Sequence, residues 1–573
     1  MLAGALVSCT TLEKGDKGMA IDIYLSSELY NFDPAVAYTD ASMVKVLNLI
    51  FEGLTSLDKN GKWQKALMES YTLKENADKT EYKLRIALNT TKWTDGRTVQ
   101  AADFVYAWKR ILDPEFPCEA ASLLYDIKNA HAAKLGDCSI DDVGIKAVET
   151  YVLEVTFEYK PDIDRFMTVV ASPALVPLRE DIAEKDVGVW AMKPTTIVTN
   201  GPFAIKQIDN GDTFRIERSS CYYLEDGGNA NSKEPLDKYV IPFRLVTKYS
   251  IGNLDKQLEA FKNEEILYLG EIPLSAREEY KKQAIITDEL NTHTYYFNTK
   301  NPLFADANVR KALSMAIDRE KIANEIVVYA KAASGLIPTK VFDATNKTYF
   351  RTVGGDLIST SADVAGAKAL LKQAGVTGGS FTLSVRNNEV DIAIAEYVVS
   401  AWKELGFTVK LNKLGCKKTG VEGIYTDLYN EAYMNGDFDV IAVDLGLTAP
   451  VAITALAPFA LEYSGNGVDM NSPSYDMYGH VTGYNSEAYN KLIADAYAEK
   501  DEAKRTEILH NAEKMLLDDM PVMPLIFTQD AYLVNTKQLS DIKETYFGTR
   551  DFKRMKQKNY YEYKLAHSDE EAE

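Results

Sequence analysis

The side chains of this 573-residue chain that could do chemistry are mostly tyrosines: there are 34, beside only 5 histidines and 5 cysteines. A tyrosine offers a wide apolar face and one hydroxyl, which suits holding varied groups in a hydrated cavity better than it suits bond making. The arrangements that make and break bonds do not occur. The sequence has no HExxH, no GxxxxGK[ST] and no GxSxG stretch. The histidines are His131, His293, His480, His510 and His567, and no two stand at i, i+4, so no local histidine pair for a metal exists. His293 is read as a surface histidine, with a ligand contact as the alternative, and Asp518-Asp519 as solvent-facing carboxylates at a helix end. Cys118, Cys138, Cys221 and Cys416 form no CxxC and no Cys/His cluster. Cys118 and Cys138 either join as a disulfide or stay as free thiols. No cofactor and no metal is expected.

The elements that must position such side chains follow from periodicity and punctuation. Residues 92–114 read KWTDGRTVQAADFVYAWKRILDP. Thr94-Asp95-Gly96 is turn chemistry, and Phe104, Trp108 and Ile111 then recur at helical spacing until Asp113-Pro114 stops the helix. Strands are expected at Met19–Leu25, Glu81–Leu88, Ala147–Phe157, Ala204–Ile208 and Thr213–Arg218, and a helix at Ser42–Gly53. Further on, the spacing predicts helices over Val309–Ile326, Val364–Ala374, Ile392–Leu405, Ser486–Lys500 and Ala503–Leu517. Strands at Phe381–Val385, Thr408–Leu411 and Asp439–Val443 alternate with them, which indicates an α/β fold. The length calls for two or three domains, since one core does not ordinarily grow so large.

Composition is that of a globular protein, 46% hydrophobic and 26% charged, with a formal net charge of −20. That balance repels phosphate backbones, so nucleic acid is not an expected partner. No apolar run reaches the ~18–20 residues of a membrane helix. The first nine residues, MLAGALVSC, look like the end of a signal peptide, and Leu6-Val7-Ser8-Cys9 matches the bacterial lipobox pattern. In proteins with that box the cysteine carries a lipid, so Cys9 is the expected anchor and Thr10–Gly18 a tether.

The wording of residues 92–114 closely resembles the hallmark segment of the extracytoplasmic solute-binding proteins that serve peptide ABC transporters, known as family 5. More stretches resemble that family's landmarks in its order: Phe32-Asp33-Pro34-Ala35, Phe51-Glu52-Gly53-Leu54, Thr199-Asn200-Gly201-Pro202-Phe203, and Phe297-Asn298-Thr299 through Asp318-Arg319. Ala369-Leu370-Leu371, Trp402-Lys403-Glu404-Leu405-Gly406, Phe438-Asp439-Val440 and Pro521 to Pro524 follow. The resemblance spans about residues 19 to 550.

What it implies is a two-lobed α/β fold of the periplasmic-binding-protein kind, with an extra domain inserted in the N-terminal lobe. Landmarks map residues 1–18 to a signal remnant and tether, and 19–56, 197–292 and 526–573 to a discontinuous lobe I. They map 57–196 to the inserted domain II and 293–525 to lobe III, with crossings near Thr294–Phe297 and Leu525–Phe527. Positions that the family turns toward its cleft are here Tyr38 with Thr39, Tyr106, Tyr295, Tyr296 and Phe527. Peptide-binding members hold the ligand as an extended strand and grip its α-ammonium with an Asp after a Gly-Trp pair. The run from Phe438 to Pro450 lacks that tryptophan, and Asp444, in a shifted register, is the acid available. The implied role is capture of an oligopeptide by a monomeric, lipid-anchored receptor outside the cytoplasmic membrane, which hands it to ABC permease subunits. Another solute, such as an oligosaccharide or a metal complex, is the alternative, though only Trp63, Trp93, Trp108, Trp190 and Trp402 could serve as sugar platforms. A surface hydrolase or adhesin is the reading from another class.

Overall fold

The computed structural model describes residues 19–22, 31–38, 40–193, 195–209, 213–219, 221–222, 243–248, 254–345, 347–419, 425–472, 476–553 and 555–557. Cys9 and Thr39 lie outside these residues. Among the described residues no helix is long and apolar enough to cross a membrane. Cys118, Cys138 and Cys221 are free, and the Cys118 thiol points at the Ala35 carbonyl instead of at Cys138.

Three principal sheets organise the described residues. The largest contains β1 (Tyr268–Leu269), β2 (Ile285–Phe297), β3 (Ala330–Ala332), β4 (Gly379–Arg386), β5 (Phe407–Leu414), β6 (Val440–Gly446) and β7 (Val522–Val534). Its order is β1-β7-β2-β6-β4-β5, with β3 also paired to β7. Strands β4, β5 and β6 run parallel, as expected where helices alternate with strands, while β2 pairs antiparallel with both β6 and β7. Helix Glu389–Glu404 covers β4 and β5 and buries Trp402 among Tyr295, Phe297 and Phe381. The Trp402 indole donates to the Leu313 carbonyl at 2.9 Å, so the one polar atom of this large side chain is satisfied in the core.

Met68–Glu75, Tyr82–Leu88, Val152–Phe157 and Ile145–Glu149 form an antiparallel sheet in that order, wholly inside 57–196. Strict alternation in Tyr82–Leu88 puts Tyr82, Leu84, Ile86 and Leu88 on the buried face. Helix Ala101–Leu112 packs Phe104 and Trp108 there. Asp103 closes a capping box with Gln100 and takes a hydrogen bond from the Trp93 indole at 3.1 Å. The last sheet joins Met19–Asp22, Phe243–Lys248, Thr213–Arg218 and Phe203–Asp209.

Several sequence landmarks are the joints between these parts. Asp33 caps helix Pro34–Ala37 and also receives both terminal nitrogens of Arg110, at 3.0 and 2.6 Å, which locks the segment before Tyr38 onto helix Ala101–Leu112. Asn200 exchanges hydrogen bonds with the backbone of Glu52, and a Cβ on Gly201 would lie 2.4 Å from the Ile50 backbone, so only glycine permits that approach. Asp439 ties the Thr382 amide to the Asn301 side chain.

One expectation is corrected. The helix expected over Val309–Ile326 ends at Met315 and resumes as Arg319–Lys321 and a π-turn at Ile322–Val327. The reason is local: Asp318 takes an extended backbone and caps Lys321, and the buried Arg319 guanidinium binds the Ser314 and Pro524 carbonyls that a continuous helix would leave elsewhere. Thr294–Phe297 pair with β6 throughout, and the register between β2 and β7 shifts between Asp288 and Thr292 and again between His293 and Thr294.

Candidate functional site

Arg386 is the last residue of β4, at the carboxyl end of a parallel strand, where α/β sheets leave their ligand crevice. Its guanidinium lies 3.8 Å above the Tyr429 ring, 3.4 Å from the Asp40 carboxylate and 4.0 Å from Asp427. Tyr429 is fixed in turn by donating to the Ala442 carbonyl of β6 at 2.5 Å. Asp444, on the same β6, faces His293 of β2 as its register partner, and their side chains meet at 2.8 Å. Asp391 approaches from the first turn of helix Glu389–Glu404, held by its Asn388 cap.

Two cavities meet at Asp444. One, open to solvent, is walled by Tyr38, Glu119, Tyr296, Arg386, Tyr429, Tyr433 and Asp444. The other has Asp40, Lys45, Glu289, Asn291, His293, Asp391, Asp444 and Asp530 in its wall. Tyr38 reaches the first from beyond Asp33, and its hydroxyl accepts the Ala120 amide at 3.2 Å. The walls therefore come from widely separated parts of the chain.

The sites expected from sequence divide by strand parity. Tyr38, Tyr296 and Asp444 line the first cavity. Tyr295, one residue from Tyr296, must face the opposite side of β2, and it lies in the Trp402 core with no exposed surface. Phe527 likewise faces away, between its laddered neighbours Ile526 and Thr528 that do reach the second cavity. Tyr106 is in the inserted helix and donates to Glu184, away from both cavities. His293, read as a surface residue, is 3% exposed. Burial prevails because its ring is partnered by a carboxylate. Arg386, Glu119, Tyr433 and Asp391 were not singled out. The strand-end position of Arg386 was a usable signal, whereas nothing local marks Glu119.

The electrostatics of the His293 group follow from mutual contact. Burial favours a neutral His293 ring, but the Asp444 charge and hydrogen bond outweigh it and raise the imidazole above 6.5. Burial also opposes ionisation of Asp444, yet His293 and Arg386 hold its carboxyl below the ordinary range. Asp391 is pushed up to about 6 by burial, against the pull of His293 and with the added repulsion of Asp444. One ligand atom from each of the three lies within 4.8 Å of the others, so the group can share protons and is the set among the described residues that could take a cation. A raised histidine stabilises the fold below pH 6.5 and loses that contribution as pH rises through its folded value. The stability difference between wild type and His293→Gln should therefore shrink from pH 6 towards pH 9 in denaturant titrations. A constant difference would contradict the pairing.

With this geometry in place, comparison with known proteins is informative. Residues 62–467 match the family model for bacterial extracellular solute-binding proteins, family 5. The chain belongs to this family. It is thus a binding protein and not an enzyme, built as a two-lobed fold with an inserted domain. It is similar to the dipeptide-binding protein DppE of Bacillus subtilis, 29% identical over 96% of each chain. Its fold is similar to Listeria monocytogenes OppA bound to peptide, with a TM-score of 0.76, 24% identity, and coverage of 95% of this chain and 100% of that one. The Escherichia coli murein tripeptide binding protein MppA, 22% identical with 94% and 99% of the two chains covered, overlays with a TM-score of 0.74. The unliganded open form of MppA, 23% identical over 94% and 98%, gives 0.54.

Proposed function

We propose that this chain is the receptor of an ABC importer and captures short peptides in the cavity between Tyr38, Glu119, Tyr296, Arg386 and Asp444. One observation carries the reading: a single tyrosine-lined wall presents both an ionised carboxylate, Asp444, and a guanidinium, Arg386. A peptide with free ends is a zwitterion and matches that pair, Asp444 for the α-ammonium and Arg386 for the carboxylate. A neutral sugar matches neither. Relatives named for binding dipeptides and oligopeptides support the same class.

On this reading lobe I comprises 19–56, 197–292 and 526–573, the insert 57–196, and lobe III 293–525. The register slip between Asp288 and Thr292 interrupts the ladder between two long strands and is a place where they can bend. The different fits to the two MppA forms support lobes that rotate about such a joint. Cys9 would carry the lipid that holds a monomer at the outer face of the membrane, beside the permease that receives the peptide.

The test is thermal unfolding of the purified protein against di- and tripeptides and against a panel of oligosaccharides, with small-angle scattering of the same samples. Peptides should raise the melting temperature and reduce the radius of gyration. Stabilisation by sugars alone would reject the proposal. In cells making the protein with its complete signal, Cys9→Ser should move it from the membrane to the soluble fraction, and unchanged partition would reject the anchor.

A further inference from the structure

Glu119 stands in the first cavity without a counter-charge. It opens the short 3₁₀ turn Glu119–Leu124, and its carboxylate, 19% exposed, sits on the cavity wall with Tyr38, Tyr296 and Tyr433. The Tyr433 hydroxyl donates to it at a long 3.3 Å. Among the described residues its basic neighbour within 4.0 Å is His480, through Nε2, and that ring packs at a tilt on Phe459 and is held neutral by burial. Arg386, on the same wall, is engaged with Asp40, Asp427 and the Tyr429 ring. A carboxylate in so apolar a setting must be protonated or meet a cation. Its own state agrees, since burial pushes it up to about 7, only partly offset by the Tyr433 hydrogen bond.

We propose that Glu119 and the tyrosines around it form a subsite for the cationic side chain, ammonium or guanidinium, of a bound peptide. This rests on the peptide reading above and names the subclass of peptide preferred. The charge of Glu119 supplies the counter-ion. The faces of Tyr38, Tyr296 and Tyr433 supply cation–π contacts and shelter the alkyl stem that precedes the charge. Nothing at Asp444 or Arg386 is displaced, because those groups serve the two ends of the backbone.

Isothermal titration with trialanine, and with trialanine carrying lysine, norleucine or glutamate at each position in turn, decides the matter. At one position wild type should prefer lysine to norleucine by about tenfold or more, the loss typical of a hydrogen bond to a charged group, and should bind the glutamate peptide worst. In Glu119→Gln the lysine-to-norleucine ratio should fall towards one. A ratio taken within each variant is unaffected by a uniform loss of affinity, and the wild-type series stands even if the variant folds poorly. Equal affinity of lysine and norleucine peptides for wild type, or an undiminished preference in Glu119→Gln, overturns the subsite while leaving peptide binding intact. If Glu119→Gln instead abolishes only the penalty for N-acetylation, the carboxylate serves the α-amine and the side-chain subsite is rejected. Failure of all peptides to bind wild type rejects both this proposal and the peptide reading.

Discussion

Glu513→Gln should lower the unfolding free energy by about 3–5 kcal/mol, the cost of stranding one member of a buried ion pair. Glu513 lies on helix Glu502–Asp519 with its side chain wholly buried. Its two oxygens accept from Arg351 at 2.6 and 3.0 Å, and one also accepts the Leu336 and Ile337 amides at 2.8 and 2.9 Å. Glutamine removes the charge and turns one acceptor into a donor facing a guanidinium. The loss reaches the binding region, because the Leu336 carbonyl accepts the Thr292 hydroxyl, one residue before His293 on β2. Gly335 belongs to the same arrangement: a Cβ there would fall 1.7 Å from the Arg351 guanidinium. Guanidinium chloride unfolding followed by tryptophan fluorescence measures the effect. A loss below about 1 kcal/mol would mean that the site relaxes and that the pair contributes little.

Arg386→Met and Asp444→Asn should each weaken binding of a free-ended short peptide by about 1.5–3 kcal/mol, or roughly 10- to 150-fold. The chemistry assigns each loss to one end of the ligand. Acetylating the peptide's amine should remove most of the difference between wild type and Asp444→Asn, and amidating its carboxylate should do the same for Arg386→Met. Crossing the modifications should not help, so each variant with its matching modification forms its own cycle of four titrations. If acetylation and amidation affect both variants alike, the end-for-end assignment is wrong even though the cavity binds peptides. Arg386 also lies 3.4 Å from Asp40, so on the hinge-closing proposal above its loss should weaken the closed form further.

Much of the fold was legible because local signals agreed with one another. The turn at Thr94-Asp95-Gly96, the capping acid Asp103 and the apolar stripe of Phe104 and Trp108 all describe the strand, turn and helix that the structure contains. The landmarks at Asp33, Asn200 and Gly201 are joints, which explains why their wording was so recognisable: each makes contacts that other residues cannot replace. Helix Val309–Ile326 misled because apolar spacing persists through Asp318, while the cap at Asp318 and the carbonyl contacts of Arg319 are tertiary in origin.

The site was legible in part. Asp444 could be singled out, but its partner His293 lies 151 residues away, and only the sheet register brings them together. Glu119 depends on the packing of Tyr38, Tyr296 and Tyr433 from three distant segments, which no local pattern reports. Tyr295 and Tyr296 were treated as equivalent, although alternation along a strand already forbids both from facing one cavity.

That alternation has an evolutionary consequence. Tyr295 supports the fold and Tyr296 lines the cavity, so mutation can explore one face of β2 while the other keeps its packing. A receptor built this way can change its diet by substitutions at every second position, with little cost to folding, and its descendants can diversify in what they import long before they diverge in shape.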